Sequence, residues 1–238
     1  MTPDQTTEIL NHLFPGGYAE AAQGGDVFAG QGDLNGQAVH VVGTWNEAHI
    51  GADLAHAMTG HILRIMTEHP GAPILMMVDN AGQRLSRRDE MLGNNAFLAN
   101  LAKALEVARR RGHAVLSLVY GRAVSGGFLA TGMSAAGCFA LAGAEIGLMS
   151  LDAMARVTRV PKERLEELSK TSAIFSPGAE NFRTLGVIED IWTVDDDLPG
   201  HLAAAIKADR DSQTRRRDGT TRGGRSMADT VSTTVRTA

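Results

Sequence analysis

The chain has 238 residues, of which 43% are hydrophobic, 21% are charged and one is a cysteine, and its formal net charge is −4. This composition is typical of a soluble globular protein and excludes an internal disulfide framework. No apolar run approaches the ~18 residues of a membrane span, and because the first ten residues lack basic and apolar signal regions we expect no secretory signal. We therefore expect a cytoplasmic protein, because a single cysteine also fits a reducing compartment.

The first half of the chain alternates between strand and helix patterns. Five glycines in residues 24–36 predict a loop, and the β-branched run at 37–45 predicts a strand. Apolar residues recur at helical spacing over 51–68, and the wholly apolar run at 73–80 predicts a buried strand. Residues 88–111 have the apolar spacing of one long helix.

The second half continues this alternation. Strand patterns occupy residues 113–121, 138–150 (as two short strands) and 187–194. Helical patterns occupy residues 128–136, 161–171, 178–186 and 199–210. The first strand centres are roughly 35–40 residues apart, which suits repeated strand–helix units stacked as a superhelix. We therefore predict an α/β fold with parallel strand pairing.

The two ends of the chain differ from this body. We expect residues 1–24 to form an N-terminal segment, residues 25–209 to form one domain and residues 210–238 to form a basic tail. The tail contains seven Arg and three Asp among many Thr, Ser and Gly. This composition predicts a solvated, flexible tail, and the alternative is an arm that lies on an acidic partner subunit. We expect no nucleic-acid binding, because no aromatic residues interleave the arginines.

Two glycine-containing turns follow neighbouring buried strands. The first is "DNAGQR" at residues 79–84, and the second is "GRAVSGGF" at residues 121–128. Glycine lets the backbone approach a ligand closely, and a helix that begins there has N–H groups without intrahelical partners, which favour negative charge. Two such turns predict an oxyanion hole. The alternative for the Gly-Gly pair is a tight turn or close helix packing.

These turns resemble the crotonase superfamily and, more narrowly, the carboxyltransferase subunits of biotin-dependent carboxylases. In those proteins one strand ends in Asp-x-x-Gly and a later strand ends in Gly-x-x-x-Ser-Gly-Gly. The matching stretches are Asp79–Gly82 and Gly121–Gly127. The chain most resembles the gamma subunits of biotin-independent malonate decarboxylases, over residues 36–208, including "GAEIGLMSLDAMARVTR" and "SPGAENFRTLGVIEDIW". Asn80 and Ala81 replace the usual Thr-Pro, which argues against a biotin-dependent role.

The resemblance implies a single-domain, crotonase-like superhelix of ββα-type units and a decarboxylase subunit. A malonyl thioester on an acyl-carrier protein would lose CO2 and become an acetyl thioester. Because charge develops on the thioester oxygen, fixed N–H donors would accelerate this step. Gly126 and Gly127 would supply one part of the oxyanion hole, and Gly82 or Gln83 would supply the other.

The resemblance also implies several partners. We expect a heterodimer with a homologous carboxyltransferase-like subunit, an acyl-carrier protein and an acyl-carrier-protein transferase. The chain itself would bind no cofactor, because the phosphopantetheine-type group of the separate acyl-carrier protein would present the substrate. We expect no metal site, since no histidine–carboxylate cluster has ligand spacing.

Three side chains are assigned to substrate binding: Ser125, Asn80 and Arg84. Arg84 precedes Arg87 and Arg88 at the predicted start of a helix, where basic side chains are unfavourably placed. One or more of these arginines would attract the malonyl carboxylate or an acidic carrier protein. Ser125 is also well placed to cap the helix that follows it.

Two other functions stay open. Ser125 could be the nucleophile of a serine hydrolase, but it would need a histidine base. His113 would lie ~20 Å away, at the opposite end of the strand, and no other histidine can be placed beside Ser125 from the sequence. The chain could instead be a non-catalytic scaffold for a catalytic crotonase-like partner.

Overall fold

A mixed sheet forms the centre of the computed structural model, which describes residues 1–149, 151–170 and 176–237. Its strands in the described part of the chain are β1 (Tyr18–Gly24), β2 (Val27–Leu34), β3 (Gln37–Thr44), β4 (Ala48–Ile50), β5 (Ile74–Gln83), β6 (Val115–Val124), β7 (Gly137–Leu141), β8 (Glu145–Gly147) and β9 (Ile191–Trp192). The spatial order is β1-β2-β3-β5-β6-β7-β9, while β4 pairs with β5 and β8 pairs with β6. The strands from β3 to β9 pair in parallel, so their carboxyl ends meet at one edge.

Helices cover both faces of this sheet. They are α1 (Pro3–Leu13), α2 (Ala52–Glu68), α3 (Arg87–Leu92), α4 (Asn94–Arg110), α5 (Ser125–Thr131), α6 (Leu151–Thr158), α7 (Lys162–Ser169), α8 (Ala179–Thr184), α9 (Leu198–Lys207), α10 (Thr214–Thr221) and α11 (Ala228–Thr237). One core packs α2, α4 and α5 against the sheet, and a second core packs α1 and α9 against the opposite face. None of these helices is long and apolar enough to cross a membrane.

Most of the predicted elements are present. The predicted strands at 37–45, 73–80, 113–121 and 138–150 correspond to β3, β5, β6 and the pair β7 and β8, while only two residues of the predicted strand at 187–194 form β9. The predicted helices at 51–68, 128–136, 161–171, 178–186 and 199–210 correspond to α2, α5, α7, α8 and α9. Ser150 and Thr171, at the ends of two of these predictions, lie outside the described residues. The structure adds α6, which the sequence patterns did not indicate.

The predicted glycine-rich loop at residues 24–36 is wrong. Residues Val27–Leu34 form β2, which pairs along its length with β3. A Cβ atom at Gly32 would overlap the Phe14 ring, and one at Gly30 would overlap the Tyr18 side chain. These two glycines therefore make room for aromatic packing within a strand and do not form turns.

The predicted single helix at 88–111 is also wrong. Gly93 has a φ of 75° and divides it into α3 and α4. This left-handed conformation is accessible to glycine, and it ends α3 after fewer than two turns. Ser86 begins α3 by accepting a hydrogen bond from the Asp89 N–H at 3.1 Å. As a result, α3 is a separate short helix that follows the end of β5.

The N-terminal segment contributes to the core of the body. Leu10, Leu13 and Phe14 are almost fully buried against the sheet, and β1 extends the sheet beside β2. Apolar residues spaced along α1 account for this packing, because they lie on one face of the helix. The division of the chain at residue 24 stays a prediction, while the structure makes α1 part of the second core.

Three arginines attach the start of the basic tail to the body. Arg210 donates two hydrogen bonds to the Glu189 carboxylate, at 2.6 and 2.8 Å. Arg215 donates to the carbonyl oxygens of Met133 and Ala135. Arg222 donates to three more carbonyl oxygens, and its side chain is 27% exposed. The solvated-tail interpretation is therefore wrong for these arginines, because their charges and donors are used within the chain.

We predict that Arg222→Ala lowers the free energy of unfolding by about 2 kcal/mol, since hydrogen bonds from charged groups contribute about 1.5–3 kcal/mol. The acceptors are the carbonyl oxygens of Arg183, Ile188 and Glu189, at 2.9, 3.0 and 3.0 Å. Urea unfolding followed by circular dichroism measures the change. The control is Arg236→Ala, at an exposed position in α11. Equal losses in both variants would contradict the attachment described for Arg222.

We predict that the chain becomes less stable as the pH falls below about 6.5, the ordinary pKa of histidine. His40 is 6% exposed, and its ring stacks on His69 with centroids 4.3 Å apart. Burial, together with the nearby His69 and His113, lowers the pKa of His40. The unfolded chain therefore binds a proton that the folded chain resists, and this favours unfolding at low pH.

The measurement compares the free energy of unfolding, obtained from urea titrations, at pH 7.5 and at pH 5.5. His40→Gln should reduce the loss of stability between these two values, because the substituted side chain does not titrate. His12→Gln, at an exposed position in α1, should leave the loss unchanged. An identical pH dependence in the wild type and in His40→Gln would show that another group is responsible.

Candidate active site

The pairing of β5 with β6 is irregular near the candidate site. Val78 pairs with Val119, but the next pairing joins Asn80 to Ala123, so β6 has two extra residues at this point. The predicted turn at residues 79–84 is wrong, because β5 continues through Gln83 and pairs with β4. No helix begins directly at the end of β5, since α3 starts only at Arg87.

The second predicted turn is a direct passage from β6 into α5. Ser125 begins the helix with a φ of 52°, a left-handed conformation that side chains other than glycine rarely adopt. The capping residue is Val124, which makes no side-chain cap hydrogen bond. The interpretation of Ser125 as the helix cap is therefore wrong. The Ser125 side chain instead lies in the wall of a cleft, at a strained backbone position.

The two strand ends are in direct contact. A Cβ atom at Gly127 would lie 2.9 Å from the Gly82 Cα and 2.6 Å from Asn80 Oδ1. Gly82 itself has a φ of 97°. A Cβ atom at Gly126 would overlap the side-chain oxygen of Gln83. The structure thus brings together the glycines of both predicted turns, and the contact between them requires that Gly127 has no side chain.

Two of the residues assigned to the site have structural partners instead. The Gly82 N–H donates to Asn80 Oδ1 at 3.2 Å, so it already has an acceptor in this structure, and its role as an oxyanion donor stays a prediction. Asn80 is fully buried, and its Nδ2 donates to Thr131 Oγ1 at 3.2 Å. The Asn80 side chain thus joins β5 to α5, and its substrate-binding assignment stays a prediction. Gly126, Gly127 and Gln83 remain as candidate donors.

Arg84 pairs with two carboxylates. Its Nε lies 2.7 Å from Asp89 Oδ2, and its Nη2 lies 2.6 Å from Asp53 Oδ1. Hydrogen bonds from Arg84 and Ser86 hold the pKa of Asp89 well below its usual range. Hydrogen bonds to Asp89 and Asp53 likewise raise the pKa of Arg84. In this structure Arg84 holds the end of β5, α2 and α3 together, and its substrate-binding assignment stays a prediction.

Asp79 is a site residue for which the sequence analysis predicted no role beyond its place in the motif. Its carboxylate is fully buried, and it accepts hydrogen bonds from the Arg122 N–H at 2.7 Å and the Glu47 N–H at 3.0 Å. The Met1 ammonium donates to the same carboxylate at 2.7 Å. A Cβ atom at Gly121 would overlap the Asp79 side chain, which explains the glycine there. Asp79 therefore fixes the widened end of β6 against β5.

Two cavities lie on either side of Gln83. A cleft of about 780 Å³ is lined by Gln83, Ser125, His49 and Arg122 among others. A cavity of about 580 Å³ is lined by Gln83, Gly126 and mainly apolar residues of α4 and α5. Gln83 therefore contributes to the walls of both cavities, while Ser125 lines the first and Gly126 lines the second.

The structure places one histidine in the same cleft as Ser125. His49 is in β4, a position that the sequence could not relate to Ser125. His113 is at the opposite end of β6, where its Nδ1 lies 2.7 Å from the Ala72 carbonyl oxygen. No hydrogen bond between Ser125 and a histidine occurs in the described residues. Within these same residues, no group of three or more His, Cys, Asp or Glu side chains could hold a metal ion.

The model of the malonate decarboxylase gamma subunit family, MdcE, matches residues 45–238. The chain belongs to this family. It is 37% identical over 122 residues to the malonyl-S-ACP:biotin-protein carboxyltransferase MADD of Malonomonas rubra. That match covers 50% of this chain and 42% of MADD, so it spans less than half of the relative's length.

Solved structures agree with the family at the level of the fold. A Pseudomonas malonate decarboxylase hetero-tetramer in complex with coenzyme A matches with a TM-score of 0.82 and 22% identity, over 97% of each chain. The MdcD-MdcE hetero-dimer of Pseudomonas malonate decarboxylase matches with a TM-score of 0.73 and 22% identity, over 94% of this chain and 99% of the other. These matches confirm the predicted α/β, crotonase-like fold.

Proposed function

We propose that the chain acts with a homologous subunit to release CO2 from a malonyl thioester. The observation that carries this proposal is the contact between the two strand ends, which sets Gly126 and Gly127 against Gln83 and Gly82 at the start of α5, where Gly126 and Gln83 line one cavity. Membership of the malonate decarboxylase gamma subunit family supports the same reaction.

The chemistry needs no protein nucleophile. The bond between the α-carbon and the carboxylate breaks, its electron pair moves toward the thioester carbonyl oxygen, and CO2 leaves. The enolate carbon then takes a proton, and an acetyl thioester remains. Backbone N–H groups directed at the developing negative charge lower the barrier, because they are fixed before the reaction begins. We assign this role to the N–H groups of Gly126 and Gly127, with Gln83 as the opposite wall.

The substrate is proposed to arrive on the phosphopantetheine-type group of a separate acyl-carrier protein. The chain would then bind no cofactor of its own, and a transferase subunit would load the carrier. The MdcD-MdcE hetero-dimer, to which the fold is similar, supports pairing with a related subunit. In such a pair the active site would lie between the two related subunits.

Reconstitution tests this proposal. Release of ¹⁴CO2 from a malonyl-pantetheine thioester is measured with the chain alone, with the homologous subunit alone and with both together. We expect turnover only from the mixture, because neither surface would be complete by itself. Full turnover by the chain alone, or none by the folded complex, would contradict the proposal.

A fluorophosphonate probe tests the hydrolase alternative, which the strained Ser125 and the shared cleft with His49 favour. Covalent labelling of Ser125 would support a nucleophilic role. We expect Ser125 to stay unlabelled in the active complex, since the proposed reaction forms no covalent intermediate with the protein.

A further inference from the structure

An exposed apolar and basic surface lies at the mouth of the cleft. It consists of Leu85, which lines the cleft, and of Arg87, Arg88, Met91 and Leu92 on α3. The exposed fraction is 79% for Leu85, 77% for Met91 and 51% for Leu92. Large apolar side chains exposed together at the entrance of a site are typical of an interaction surface. We call these five residues the α3 surface.

The α3 surface is held in a fixed position. Asp89, on the inner side of α3, is 1% exposed and accepts hydrogen bonds from Arg84 and from the Ala52 N–H at 3.0 Å. Ser86 begins the helix, and Gly93 ends it. The inner side of α3 is thus tied to α2 and to the end of β5. Its outer side chains are presented by a rigid support, so little ordering would be required when a partner binds.

The charge of the α3 surface is opposite to that of the body. Residues 1–209 contain 16 basic and 24 acidic residues. Arg87 and Arg88 are exposed and make no ion pair within the described residues, whereas Arg84 has two carboxylate partners. The acidic residue Glu90 on the same helix lines the second cavity. Because Asp89 in the same turn already pairs with Arg84, Arg87 and Arg88 are left for the carboxylates of an acidic partner.

We propose that the α3 surface is the docking site of an acidic carrier protein that delivers the thioester to the adjacent cleft. The proposal rests on the proposed function for the identity of the cargo. Its own support is the combination of unpaired arginines, exposed apolar side chains and a fixed helix beside the cleft. Arg87 and Arg88 would attract the acidic surface, and Leu85 and Met91 would make the apolar contact.

The test uses the complex of the chain with its homologous subunit. The variant is Arg87→Glu/Arg88→Glu, and the matched control is Arg64→Glu/Arg111→Glu, which reverses two exposed arginines outside the α3 surface. Each complex is assayed with a malonyl thioester on the carrier protein and with malonyl-pantetheine. We expect KM for the carrier-bound substrate to rise at least tenfold in the variant, with kcat unchanged. Turnover of malonyl-pantetheine should not change, and the control should behave as the wild type.

Each other outcome has a distinct meaning. Equal losses with both substrates, together with dissociation of the complex on size exclusion, would make the α3 surface a contact between subunits and would overturn the proposal. An unchanged KM for the carrier-bound substrate would also overturn it. If the wild-type complex releases no CO2 from malonyl-pantetheine, the proposed function fails. The Kd of the unloaded carrier protein for the complex, measured by fluorescence anisotropy, then tests docking by itself.

The apolar part of the α3 surface has a separate readout. Met91→Gln should weaken carrier binding several-fold without loss of stability, because this side chain is 77% exposed and contributes little to the core. A wild-type Kd for Met91→Gln would limit the docking contact to the arginines. A wild-type Kd for both Met91→Gln and the arginine variant would show that the α3 surface does not bind the carrier protein.

Discussion

Gly127→Ala is expected to reduce decarboxylation by the complex about 10²–10³-fold, the loss typical of removing one oxyanion donor. The added Cβ would lie 2.9 Å from the Gly82 backbone and 2.6 Å from Asn80 Oδ1. Backbone atoms cannot move aside as a flexible side chain can, so the start of α5 must shift relative to β5. A shift of a few tenths of an ångström would misdirect the N–H groups of Gly126 and Gly127.

Gly60 provides a control for this prediction, and Gly126 provides a comparison. Gly60 lies within α2, and a Cβ there would have no heavy atom within 4 Å. Gly60→Ala should leave turnover unchanged and stabilise the helix by roughly 0.5–1 kcal/mol. Gly126→Ala should have an intermediate effect, since its Cβ would overlap only the end of the Gln83 side chain. Wild-type turnover in Gly127→Ala, with the complex intact, would favour the scaffold alternative.

Asp79→Ala is expected to lower the free energy of unfolding by about 3 kcal/mol, because each buried donor left without an acceptor costs about 1–3 kcal/mol. The Arg122 and Glu47 N–H groups lose their acceptor in this variant. Asp79 is also the contact that holds the widened end of β6 beside β5. We therefore expect Asp79→Ala to lower the turnover of the complex as well as the stability of the chain.

Urea unfolding of the purified chain measures this loss. The matched control is Asp209→Ala, at an exposed position after α9, which should change stability by less than about 0.5 kcal/mol. If Asp79→Ala were as stable as the control, the hydrogen bonds to its carboxylate would not contribute to the fold. Loss of stability without any loss of turnover would separate Asp79 from the candidate site.

The sequence was most informative where periodicity and burial coincide. The apolar runs of β5 and β6 and the apolar spacing of α2 predict elements that the structure contains. Glycine was ambiguous because it has two uses. At Gly93 and Gly82 it adopts positive φ, whereas at Gly30 and Gly32 it gives space to aromatic rings inside a strand. Sequence alone does not distinguish these uses, because the neighbour that requires the space is distant along the chain.

Only part of the candidate site could be predicted from the sequence, again because many contacting partners are distant along the chain. The pairing of the two glycine-containing segments followed from their positions after adjacent parallel strands. The roles of polar side chains did not follow, because their partners come from other elements. Arg84 is neutralised by Asp53 and Asp89, and Asn80 is bound to Thr131. His49 enters the cleft on β4, which is only three residues long.

The most direct test of the account removes single N–H donors without adding a side chain. Glycolic acid replaces Gly126 or Gly127, so that an ester takes the place of the amide, and kcat of the complex is measured with malonyl-pantetheine. We predict that the ester at Gly126, at Gly127 or at both lowers kcat by about 10²–10³-fold, while an ester at Gly60 leaves kcat unchanged. Wild-type kcat in both site variants would contradict the role of these N–H groups.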